Sequence, residues 1–332
     1  MRALGIELAI ACAVAASAAA ANPAPRLSLP LACEPERTCF VQQYVDVDPS
    51  AEARDWRCGS ATYDGHSGTD FRLLSAAAAR AGVPVLAAAD GVVERRRDGM
   101  ADAFVGETSR GDTDGRECGN GVVVDHGGGW ETQYCHLRQG SVRVGKGETV
   151  ARGQPLGEVG YSGLAQFAHV HLSVRHDGKT VDPFSGLQLG DACLADGSGA
   201  VALWDDAAAS AFSYSDGRII AAGFAGHQPD IARLEDDHRL DPPTATSPVL
   251  VFYTRAINLR AGDRLKLSLV GPGGFDAETD GAPFDRNKAR WSAFVGKPLR
   301  APRWPAGRYE ATAEVVRGGK VITSERAMLD IE

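Results

Sequence analysis

Five residues of this 332-residue chain have the side-chain types that hydrolytic metal chemistry uses, in spacings that could bring them together. His66 and Asp70 stand four apart in Gly65-His66-Ser67-Gly68-Thr69-Asp70, with Gly68 between them to let the backbone bend and both side chains converge. His169 and His171 flank one valine on an apolar, β-branched stretch. Side chains alternate along a strand, so these two imidazoles should share one face. His136 closes the segment Thr132-Gln133-Tyr134-Cys135-His136-Leu137. With eight histidines in the chain, an H-x-H is expected by chance in roughly one chain in five, so no single motif decides anything. Their combination does more. A catalytic zinc takes three ligands from His and Asp/Glu and keeps one position for water, whereas a structural zinc is closed by four, usually rich in cysteine. Four histidines and an aspartate therefore divide into ligands and helpers, the helpers exchanging protons or steadying an oxyanion.

The elements that must position these residues read as short strands. Pro84 to Ala89, Gly91 to Arg95, Gly121 to Asp125, Glu131 to His136, Glu148 to Ala151, Pro155 to Gly160 and His169 to Arg175 carry strand patterns separated by glycine-bearing turns. That spacing predicts a compact antiparallel sheet or sandwich over about residues 61–190. The 39 glycines and 17 prolines agree with a turn-rich, mainly β chain without extended helix. Residues 98–117 are polar, glycine-rich and unpatterned, and fit a functional loop beside a groove and a tolerated insertion equally well. Residues 22–60 hold prolines, charges and three cysteines with little periodicity, and read as a cysteine-containing N-terminal extension. After Gly190 a linker-like stretch leads to a β-sandwich-like accessory domain over 200–332. Its strand signals are Val249 to Thr254, Arg264 to Leu269, Tyr309 to Val316 and Lys320 to Ser324, the last two joined by Arg317-Gly318-Gly319 as a hairpin.

Residues 1–21 combine an early arginine, an apolar stretch and a small-residue finish, the pattern of a signal peptide cleaved after Ala21. A membrane anchor fits less well, because Glu7 interrupts the run and the apolar part falls short of the roughly 20 residues a spanning helix needs. Cys12 sits in only a faint lipoprotein pattern. Cleavage leaves Cys33, Cys39, Cys58, Cys118, Cys135 and Cys193 in an exported chain, where disulfides are expected. The hairpin around His126-Gly127-Gly128-Gly129 brings Cys118 near Cys135, while the remaining connectivity is not readable. No C-x-x-C pair is present, which argues against a cysteine metal cluster. A net charge of -8 makes nucleic acid a poor partner, and no other segment reads as a membrane span.

The order His66-x-x-x-Asp70, Tyr134-x-His136-Leu137 and His169-x-His171 resembles the lysostaphin/LytM-type zinc endopeptidases that cleave peptide cross-links in bacterial peptidoglycan. Pro84 to Gly91, Gly119 to Gly127 and Gly153-Gln154-Pro155-Leu156-Gly157 match the family's segments in the same order, so that the resemblance covers residues 63–187. It implies a compact antiparallel β metallopeptidase fold (the lysostaphin-like, duplicated hybrid motif), one zinc ion per chain held by His66, Asp70 and His171, and catalytic roles for His136 and His169. The stretch from Asp98 to Cys118 is longer than a bare catalytic core of this kind needs, and the cysteines are additional.

Two functional classes follow. One is an exported zinc metalloendopeptidase of the cell envelope, periplasmic or extracellular, acting on amide bonds of peptidoglycan peptides with His169 as general base and His136 at the oxyanion. The other is a non-catalytic wall-binding or hydrolase-activating protein of the same fold. The terminal β domain would dock wall or a protein partner. The remaining candidates take blander readings: His126 and His176 as solvated turn residues, Tyr63 as structural, Asn120 as a turn residue, and His227 and His238 as exposed loop histidines.

Overall fold

The computed structural model describes residues 23–105, 113–237 and 239–332. The expected signal peptide, Cys12 and His238 lie outside the described residues. Mainly antiparallel β structure is observed throughout. In chain order the strands are β1 Cys39–Gln43, β2 Thr69–Leu73, β3 Pro84–Leu86, β4 Gly91–Arg97, β5 Asn120–Gly127, β6 Trp130–Leu137, β7 Thr149–Val150, β8 Pro155–Glu158, β9 His169–His176, β10 Lys179–Thr180, β11 Arg218–Ala225, β12 Val249–Leu259, β13 Arg264–Gly271, β14 Phe275–Asp280, β15 Lys288–Pro298, β16 Gly307–Arg317 and β17 Lys320–Ile331. Among the described residues the α-helices that interrupt them are short: α1 Ala76–Arg80, α2 Asp206–Ala211 and α3 Ile231–Asp236. Among the described residues no helix is long and apolar enough to cross a membrane.

The principal sheet runs β1-β2-β9-β6-β5-β4-β7, with β10 beside β9, and β3 pairs β8 in a separate ribbon. Val122, Val124, Tyr134, Val170, Leu172 and Val174 send their side chains to the buried face. The β5–β6 hairpin turns at Gly127, Gly128 and Gly129, all at positive φ, a run that residues with a Cβ rarely sustain. One core gathers residues from Leu27 to Phe212. It therefore takes in the 22–60 segment, which supplies the edge strand β1 and the buried Leu27, Leu31, Val41 and Tyr44, and also Leu203 and Trp204 beyond the stretch that reads as a linker. Backbone bonds between Leu27, Leu203 and Asp205 tie the two ends together. Neither end shows this in its local pattern, because each buries its apolar residues against distant chain.

The second core lies between a three-stranded sheet, β11-β12-β15, and a four-stranded sheet, β14-β13-β16-β17. Leu265, Leu267 and Leu269 on β13 face Tyr309, Ala311, Ala313 and Val315 on β16 in the alternation a one-sided sheet requires. The β16–β17 hairpin uses Gly318 and Gly319 at positive φ, as expected. Cys118–Cys135 is disulfide-bonded, as the hairpin register implies; Cys33–Cys39 and Cys58–Cys193 complete the set.

Candidate metal centre

Strand register assembles the site. On the β2–β9 ladder Asp70 lies opposite His171 and Arg72 opposite His169, while on the β6–β9 ladder Cys135 lies opposite His171. Strict alternation would turn His136 to the face opposite Cys135. A register shift between Asn120/Val122 and Leu137/Tyr134 and a left-handed backbone at His136 (φ 63°) re-aim that side chain to the site. His66 enters from the loop before β2, after Gly65 at φ 74°.

His66 Nε2 lies 3.2 Å from Asp70 Oδ1 and 3.2 Å from His171 Nδ1, and His171 Nδ1 lies 2.8 Å from Asp70 Oδ1. Zinc bonds of about 2.05 Å at tetrahedral angles place ligand atoms about 3.3 Å apart. The three atoms thus make a triangle of the size of one tetrahedral face, and the residues fit the ion. Their ring tautomers agree. His66 Nδ1 donates to the Tyr44 carbonyl at 2.6 Å, and His171 Nε2 meets Ser173 Oγ at 3.1 Å, leaving the other nitrogen of each ring to offer a lone pair inward. Asp70 is 3% exposed. Burial opposes its ionisation, but the charge of His66 and the hydrogen bonds of His66 and His171 outweigh it and hold the carboxyl well below its usual range. Burial likewise works against a charged His66, and the Asp70 carboxylate overrides it and raises the pKa. A buried carboxylate calls for a cation, proton or metal.

Gly68 has a spatial role here. A Cβ on it would run into the His171 imidazole and the Leu172 carbonyl, so the glycine expected to supply a bend instead supplies room for a ligand ring.

His136 and His169 flank the triangle with ring centroids 4.5 Å apart, and His169 Nε2 is 3.6 Å from Asp70 Oδ1. Each donates Nδ1–H to a backbone carbonyl, His136 to Ser162 at 2.7 Å and His169 to Phe167 at 2.8 Å. Burial lowers both pKa values, that of His136 well below the ordinary range with His169 and His171 adding to the effect. Both rings are therefore neutral at pH 7 and turn a lone pair on Nε2 toward the site.

The site opens into a cavity of about 230 Å³ lined by Tyr63, His66, His136 and His171. It shares Glu117, Cys118 and Gln133 with a neighbouring cavity of about 320 Å³ bearing Arg95, Arg96 and Arg97, which makes a continuous groove across the sheet.

Several bland readings need correction. Tyr63 is 52% exposed on the cavity rim with its ring 4.5 Å from that of His66. Asn120 is buried within β5, and its side-chain amide bonds Met100 and the Leu137 carbonyl, pinning Met100 to the end of β6. His126 is half-buried and bridges the Asp90 carbonyl to Thr132, and His176 stacks on Trp130 at 4.3 Å. His227 is half-buried, not exposed. Sequence reasoning missed Tyr44, Ser173, Phe167 and Arg72. The period-2 rule along β9 from His171 to Ser173 and along β2 from Asp70 to Arg72 could have reached two of them.

A family model described as Peptidase family M23 matches residues 64–183. The chain is 32% identical over 117 residues to Peptidoglycan DD-endopeptidase ShyA of Vibrio cholerae, covering 35% of this chain and 22% of that protein. It is 34% identical over 120 residues to DD-carboxypeptidase/endopeptidase Mpg of Neisseria meningitidis, covering 36% of this chain and 22% of that one. The matches thus span 22% of the length of these curated relatives. Among solved structures, the catalytic domain of lysostaphin from Staphylococcus simulans aligns at 22% identity over 36% of this chain and 76% of that chain, with a TM-score of 0.27. The family and curated matches bear out the resemblance to lysostaphin/LytM-type peptidases over the matched segment.

Proposed function

We propose that the peptidase-like segment, over residues 61–190, is an exported zinc metalloendopeptidase that hydrolyses amide bonds in peptidoglycan stem peptides or cross-links. The observation that carries this reading is the triangle of His66 Nε2, Asp70 Oδ1 and His171 Nδ1 at 2.8 to 3.2 Å, with two further histidines beside it. In this reading those three residues hold the ion. Zinc, when bound, supplies a Lewis acid and lowers the pKa of water at its open position to about 7.

The chain's own groups do the rest. His169 is neutral, its Nδ1–H is fixed on the Phe167 carbonyl, and its Nε2 is free to take a proton from water as the general base. The Asp70 carboxylate, 3.6 Å away, favours the imidazolium that results. His136 presents a lone pair at Nε2 while neutral, so it donates to an oxyanion only after acquiring a proton. The Tyr63 hydroxyl on the cavity rim is a donor free of that condition, and this favours a second reading in which tyrosine and histidine share the oxyanion.

The test pairs metal analysis with mass analysis of peptides released from purified wall material. Wild type is expected to carry about one zinc per chain and to generate new peptide ends, whereas His171→Ala retains little metal and no activity. Bound zinc without new peptide ends would favour the wall-binding or hydrolase-activating alternative.

A further inference from the structure

The C-terminal sandwich reaches the site through a cluster of charged side chains centred on Glu235. Glu235, on α3, sits 2.8 Å from Arg72 Nη2, 2.7 Å from Arg255 Nη2 and 3.5 Å from Arg290 Nη1. Arg72 is fully buried on β2, directly opposite His169. Its guanidinium stands 4.7 Å over the Phe167 ring, and the guanidinium of Arg290, from β15, stands 5.7 Å from the same ring. Arg290 also donates to the Gln166 carbonyl and to Gln166 Oε1, both at 3.0 Å. Phe167 in turn packs its ring 4.5 Å from that of His169 and accepts the His169 Nδ1–H on its carbonyl. The segment that fixes the tautomer and tilt of His169 is thus gripped by two cations, Arg72 from β2 and Arg290 from β15, that share the carboxylate of Glu235.

We infer that the C-terminal sandwich is a working part of the catalytic centre, with Arg290 and Glu235 acting as positioning residues that clamp Gln166 and Phe167 and so orient His169. The inference rests on the proposed role of His169. Burying charged side chains is costly, and a merely adhesive interface would be made more cheaply from apolar residues. Here the ionic network ends on the two residues that precede Ala168-His169. Its geometry also separates orientation from metal binding, because neither Arg290 nor Glu235 touches His66, Asp70 or His171 in any hydrogen bond or ion pair of the described residues.

Arg290→Gln tests the clamp in the full-length protein, since Arg290 is partly exposed and its loss need not unfold the chain. The expected result is a fall of about tenfold or more in kcat with KM within twofold and zinc content unchanged, because small misplacements of a reacting group cost that much. Arg290→Lys, which keeps the charge but donates from a single nitrogen, should recover part of the loss. A second readout needs no turnover: the His169 imidazole resonances in isotope-labelled protein should move in Arg290→Gln, while those of His126, remote from the clamp, stay in place. Unchanged kcat together with unmoved His169 resonances would overturn the inference, as would a loss of zinc or of the folded state in proportion to the loss of rate. If wild type itself cleaves no wall peptide, the functional reading fails while the resonances still decide the clamp. Should Arg290→Gln not fold, Phe167→Leu offers the same two readouts without altering a charge.

Discussion

A pH dependence of stability near neutral pH should come from Asp182, a carboxylate outside the site. It is fully buried; Oδ1 accepts from the Phe184 and Ser185 amides and the Ser185 hydroxyl, while Oδ2 has no partner among the described residues. Burial pushes the carboxyl up to about 7, with the nearby Asp55 adding to the rise and the hydrogen bonds of Ser185 and Phe184 only partly offsetting it. A folded-state pKa above the unfolded value of 3.8 means that the native chain binds the proton more tightly. That contribution is complete below about pH 4 and is lost as pH rises through about 7. With one pKa unit equal to about 1.4 kcal/mol, the contribution falls by about 2 kcal/mol between pH 5 and pH 7. Urea unfolding of wild type and Asp182→Asn at pH 5, 6 and 7 isolates the effect, because every other titrating group is common to both. The gap between the two proteins should shift by about 2 kcal/mol over that range, with wild type losing ground as pH rises. Parallel pH profiles would refute the reasoning.

Gly68→Ala should leave the fold intact but lower bound zinc well below that of wild type, measured by metal analysis, because the added methyl displaces the His171 ring. Reduction or paired Cys→Ser replacement should cost unequally. Chain-entropy arithmetic gives about 5 kcal/mol for Cys58–Cys193, separated by 135 residues, and about 2 kcal/mol for Cys33–Cys39, separated by six, so urea midpoints should rank the variants in that order. Glu235→Gln should destabilise by about 3 to 5 kcal/mol, since it leaves Arg72 and Arg255 charged and buried without their carboxylate. Calorimetry or denaturant titration would show this, and a change below about 1 kcal/mol would mean that water reaches the guanidinium groups.

Of the strands that carry the site, β6 and β9 were legible because half-buried strands must alternate and hairpins must turn on residues tolerant of positive φ. The core strands β5, β6 and β9, the Gly318-Gly319 hairpin and the Cys118–Cys135 pair all followed from those two rules. Strands β1, β10, β11, β14 and β15 did not, nor did β2, which carries Asp70. β1 is buried along its whole length by partners far away in the chain, and β15 lies with much of its surface toward solvent, so neither shows a clean period. Asn120 and Tyr63 were misread for a related cause: burial and exposure at loop ends depend on which strands meet there.

The residue types, their order and the shared face of His169 and His171 are properties of the chain itself, since alternation is a local consequence of backbone geometry. Whether Asp70 would stand opposite His171, whether a shift in register would swing His136 round to join them, and whether Arg290 would reach Phe167 from the second core are matters of pairing between segments tens to more than a hundred residues apart. Local propensity fixes what each strand can offer. Only the burial of all of them against common cores chooses which offers meet, because the free energy of that choice resides in contacts that no single segment contains.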